Sequence, residues 1–137
     1  MAGAFTERSL WLAINCTIPD PGELVRKQWF EGPLAPFSTF AAKITLGRAL
    51  NIYGSEMEGR LNTIKRIRNQ FAHAPRPIDF SHPSIEEACE PFFVGEIEKY
   101  RPISGRSAYL AACMALAEML QDYSFQQRNE RPEPFYP

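Results

Sequence analysis

Apolar residues recur at helical spacing through most of this chain, and nowhere do apolar and polar residues alternate for more than a few positions. That pattern predicts helices and no strands. Phe5, Trp11, Leu12 and Ile14 form a first stripe over residues 4–16, ended by the run Thr17 to Gly22 with its two prolines. A short helix over 23–30 follows, broken by Gly32-Pro-Leu-Ala-Pro36. Phe37, Phe40, Ala41, Ile44 and Leu50 predict a longer helix to about Tyr53, with Gly54 at the position after the C-cap, where a left-handed backbone costs glycine nothing. Ser55 and Glu58 read as a capping box opening the next helix. Its inner face is Met57, Leu61, Ile64, Ile67 and Phe71, and Pro75 and Pro77 close it. His82 then enters a short helix over 84–89, with Pro83 in its first turn. Residues 90–103 read as irregular, with one helical turn around 94–100. The span 107–125 is the most apolar helix, its stripe containing Tyr109, Leu110, Cys113, Met114, Leu116 and Leu120. From about residue 128 the proline-rich tail is expected to be extended. These elements predict an all-α protein. It should be one domain over residues 1–137, a compact bundle of about five helices around an antiparallel pair, 37–53 and 55–74.

Length and composition agree with this reading. A chain of 137 residues that is 45% hydrophobic and 23% charged suits one globular core. No apolar run approaches the roughly 20 residues that span a bilayer. Glu7 and Arg8 interrupt the apolar start, unlike a secretory leader. Cys16, Cys89 and Cys113 are odd in number and far apart, which predicts reduced thiols and a cytoplasmic protein. The sequence holds no CxxC pair, HExxH, glycine-rich phosphate loop or GxSxG elbow, so neither a metal nor an organic cofactor is expected.

Charge changes the picture locally. The net charge of −1 does not support a dedicated nucleic-acid binder. Between 54 and 76, however, Arg60, Lys65, Arg66, Arg68 and Arg76 outnumber Glu56 and Glu58, whereas 77–98 holds six acids and no lysine or arginine. Adjacent segments of opposite charge are expected to meet, the acidic one lying over the basic helix.

Within the basic helix, Arg68-Asn69-x-x-x-His73 sets polar side chains among residues that must be core. Lys65 and Arg66 extend the candidate surface. Asn69 and His73, four apart, share a side of the helix, and Arg68 lies about 100° away from Asn69. A chemical reading gives His73 a proton-transfer role near neutral pH, Arg68 the phosphate, and Asn69 support of the imidazole or the nucleotide backbone. A structural reading bonds His73 to the carbonyls of the last helical turn, pairs Arg68 with a downstream carboxylate and uses Asn69 to tie down the loop after Pro75. Both readings are open at this level.

Two blocks carry a family resemblance. The run Phe30-Glu-Gly-Pro-Leu-Ala-Pro-Phe-Ser-Thr-Phe-Ala-Ala-Lys-Ile-Thr-Leu-Gly-Arg-Ala-Leu50 resembles the entry into the central helical hairpin of mannitol-operon repressor (MltR-like) proteins. Ile64-Lys-Arg-Ile-Arg-Asn-Gln-Phe-Ala-His73 resembles that family's hallmark, and Phe80-Ser-His-Pro-Ser-Ile85 continues the match. This implies an all-helical, non-enzymatic, transcription-associated regulator that works through a protein partner and forms a homodimer. Arg68-Asn69 followed by His73 is also similar to the signature of the HEPN superfamily, which implies a metal-independent ribonuclease using these three residues across a dimer. Family members carry more residues ahead of their first helix, so helix 1 is expected to be shortened.

Overall fold

The computed structural model describes residues 2–93 and 105–130. They form six α-helices: α1 (Ala2–Thr17), α2 (Glu23–Phe30), α3 (Phe40–Ala49), α4 (Ser55–His73), α5 (Pro83–Cys89) and α6 (Gly105–Glu130). A 3-10 turn, Glu90–Phe93, follows α5. Among the described residues there is no strand, and no helix is long and apolar enough to cross a membrane. The all-α expectation holds. The turn expected at 94–100 and the tail 131–137 lie outside the described residues, while α6 continues past the expected break at 128 to Glu130.

The centre of the fold differs from the expected hairpin, because the most extensive helix packing is α1 on α6. These two helices run parallel. Thr6 donates to the Cys113 carbonyl at 2.9 Å, Gln121 donates to Ser9 at 3.2 Å, and the Thr17 and Tyr123 hydroxyls lie 2.8 Å apart. Small residues on α1, namely Gly3, Thr6, Ser9 and Ala13, allow close approach, and all four are buried. Leu10, Ile14, Ile44, Leu61, Ile64, Ile67, Ile85, Cys113, Leu116 and Leu120 complete one core, each at most 2% exposed. The periodicity of α4 thus marked Leu61, Ile64 and Ile67 correctly, with Met57 and Phe71 half-buried against them. On α6 the stripe was drawn too wide: Leu110 and Met114 are exposed.

Helix ends correct three further expectations. Phe37 is outside α3, which starts at Phe40 after Thr39, whose hydroxyl accepts from the Ala42 amide at 3.1 Å. The left-handed residue between α3 and α4 is Asn51 (φ 61°), while Gly54 is extended. The Ile52 amide donates to Gly47 and that of Asn51 to Arg48, both at 3.1 Å, the paired bonds of a Schellman ending. The capping box is absent, since Gly54 is the N-cap and Ser55 is already helical, with no side-chain cap bond. Glu58 instead faces Arg48 at 3.9 Å. His82 does enter α5 as expected, accepting the Ser84 amide on Nδ1 at 3.2 Å.

Burial pushes the phenols of Tyr53 and Tyr109 well above their usual value, with nearby Glu58 and Cys113 adding to it respectively. Burial also raises the thiols of Cys89 and Cys113. All four are held in their neutral forms. Their contribution is therefore complete below about pH 8.5 and is lost as pH rises past the ordinary thiol and phenol values, about 8.5 and 10. A melting-temperature profile should be flat up to about pH 8.5 with respect to these groups and fall steeply beyond about pH 10.

Candidate functional site

The site is a property of α4. At 100° per residue, Asn62, Lys65, Arg66, Asn69 and His73 occupy one stripe about 100° wide on the side opposite Ile64 and Ile67. They line an open groove of about 580 Å³, joined by Gln70. Arg66, Asn69, Gln70 and His73 are exposed, and Lys65 is half-buried. Among the described residues neither the Asn69 nor the His73 side chain makes a hydrogen bond, so the side-chain bonds that a structural reading would give them are absent.

Arg68 is placed otherwise. One residue round the helix, it turns toward α1 and α3, where Nη1 donates to Glu7 Oε1 at 3.1 Å and the guanidinium lies 5.1 Å from the centre of the Phe40 ring. The second Glu7 oxygen takes Lys43 Nζ at 2.9 Å, and Lys43 also donates to the Ser38 carbonyl at 3.2 Å. One carboxylate thus joins two cations from different helices. Gly3 makes room for this, since a Cβ there would overlap Arg68 Cδ and the Tyr109 hydroxyl. The expected partner of Arg68 was a carboxylate of the downstream acidic stretch; the observed partner is Glu7, 61 positions upstream.

Arg68 and His73 therefore diverge by about 140° on the helix. Asn69 lies between them, lining both the main groove and a cleft of about 250 Å³ that contains Glu7, Lys65 and Arg68. The acidic segment does approach the basic helix: Glu87 and Glu90 share a groove with Arg66 and Gln70.

Beyond His73 the chain turns back, carrying the second histidine with it. Phe71 meets Phe80 at 5.0 Å between ring centres, and Phe80 meets Tyr109 at 5.6 Å, which pins the 74–82 loop between α4 and α6. Asp79 accepts from the Ser81 amide at 2.9 Å and from the Ser81 hydroxyl, bonds that hold its carboxyl below the usual range. This turn delivers His82 to the same cavity as His73, of about 380 Å³. Sequence reasoning gave His82 only a capping role. The sole hint was that both histidines flank one short loop. No group of three or more potential metal ligands occurs among the described residues. No family model, no curated protein and no solved structure matches this chain.

Proposed function

We propose that this protein is an MltR-like, non-enzymatic, transcription-associated regulator that works through a protein partner, with the α4 stripe of Lys65, Arg66, Asn69 and His73 as its contact surface. The observation that supports it is the engagement of Arg68. The cation that a ribonuclease would place on phosphate is tied to Glu7 and stacked on Phe40, and it points away from His73. The stripe itself is polar and exposed, suited to a charged or hydrogen-bonding partner.

A second reading has its own support. Asn69 and His73 are exposed side by side in a groove with Lys65 and Arg66, as a HEPN-type metal-independent ribonuclease requires. Since Arg68 and His73 diverge within one chain, cleavage would need a homodimer that brings the Arg68 of one copy to the His73 of the other. The two readings separate in one assay. Purified protein and a His73→Ala variant are incubated with total RNA in EDTA, and the products are resolved on a gel. The regulator reading expects intact RNA in both lanes. Cleavage by the unaltered protein alone would replace it with the ribonuclease reading.

A further inference from the structure

The cavity between the end of α4 and the start of α5 gathers both histidines of the chain. Its polar lining is Gln70, His73, Arg76, His82 and Ser84, and no carboxylate lines it among the described residues. Gln70, His73, Arg76 and His82 can each present a donor, whereas the Ser84 hydroxyl is turned to the His82 ring. Nδ1 of His82 accepts the Ser84 amide and lies 2.8 Å from the Ser84 hydroxyl. A ring nitrogen that accepts carries no proton, so the Nε2–H of a neutral His82 is its free donor. The same bond occupies the Ser84 amide, so an anion here would be held by side chains and not by the start of α5. Arg76 is exposed, and no ion pair engages it among the described residues. Asp79, the nearest acid along the chain, accepts from Ser81.

We infer that this cavity binds a phosphate monoester. A planar guanidinium, two imidazoles and an amide suit a tetrahedral dianion with three free oxygens better than a carboxylate with two. The cavity, at about 380 Å³, is several times larger than one phosphate group, and Ile78 with the Ala74-Pro75 step gives it an apolar wall for the rest of an ester. The site shares His73 with both functional readings and adds Arg76 and His82, which neither of them uses.

With only two histidines, the imidazole signals in an NMR titration are assignable by a single substitution. The full chain is titrated with inorganic phosphate, a hexose 6-phosphate and a nucleoside 5′-monophosphate. Addition of an ester is expected to move both histidine signals along one binding curve. At least one ester should bind about tenfold more tightly than inorganic phosphate, the increment of one or two methylene-sized apolar contacts. Arg76→Ala and His82→Asn should each weaken the ester about tenfold, the loss of one charge-assisted or neutral hydrogen bond. Asparagine keeps the cap acceptor of His82 and removes its Nε2–H, so the melting temperature should hold while affinity falls. Movement of one histidine only, or no saturation by about 20 mM ester, would overturn the site, since affinities weaker than that carry almost no recognition energy. Equal affinity for inorganic phosphate would overturn the ester assignment.

Discussion

Gly47→Ala is expected to lower stability by about 2–3 kcal/mol, close to the upper range for overpacking a core. A Cβ at this position would lie 2.5 Å from the Tyr53 hydroxyl and 2.8 Å from two ring carbons. The ring cannot move aside cheaply. Its hydroxyl donates to the Ile44 carbonyl at 2.6 Å, one turn away on the same helix, and the residue is 7% exposed. The turn leading to Tyr53 is fixed at Asn51 and Ile52 by the two bonds that end α3, and Gly47 accepts one of them. Alanine's better helix propensity, worth about 1 kcal/mol over glycine, offsets part of the loss. In urea, the unfolding midpoint should fall while the slope stays near that of the unaltered protein. Tyr53→Phe supplies the control. It deletes the hydroxyl and its bond, so Gly47→Ala should cost less in that background, and a double-mutant cycle reads the difference. Additive effects would show that Tyr53 is free to move.

The same junction shows what the sequence could and could not disclose. The helical period alone marked Leu61, Ile64 and Ile67, because burial on one side of a helix repeats locally. The ending of α3 was read three residues late, at Gly54, since glycine and asparagine both accept a left-handed backbone and the deciding bonds depend on where Phe40 starts the helix. Met114 sits four residues from Leu110 in what looks like an inward stripe. Parallel packing of α1 covers only one side of α6, the side of Cys113 and Leu116, and leaves both exposed. Of the candidate site, Asn69, His73, Lys65 and Arg66 were legible as a stripe. Glu7 was not, because nothing along the chain announces a contact that exists only once α1, α3 and α4 converge. His82 was missed as a neighbour of His73 for the same reason: the Phe71, Phe80 and Tyr109 stack sets the path of the loop between them.

Glu7→Gln is expected to destabilise the fold by about 2–3 kcal/mol, with a drop in melting temperature of roughly 6–12 °C for a chain of this size. Removing one partner of a fully buried ion pair costs about 3–5 kcal/mol, because the remaining charge is left without compensation. Here the cost is lower because only Lys43 approaches full burial, its side chain 10% exposed, while Arg68 reaches solvent at 33%. Glutamine keeps the shape and one acceptor. The loss therefore reports the charge of Glu7 and not a cavity. Lys43→Met in the same background should recover part of the stability, since it removes the stranded ammonium and leaves its apolar stem length in place. The substitution also separates the two functional readings at the residue on which they differ. Releasing Arg68 from its carboxylate makes its guanidinium available to phosphate. In a ribonuclease, the variant should cleave RNA at least as fast as the unaltered protein at a temperature where both are folded, with tighter binding at low salt. In a regulator, RNA stays intact in both, and the variant differs only in stability. A rate that fell although the variant stayed fully folded would instead mean that the Glu7 pairing orients Arg68 for catalysis, because the ion pair would then be part of the working geometry.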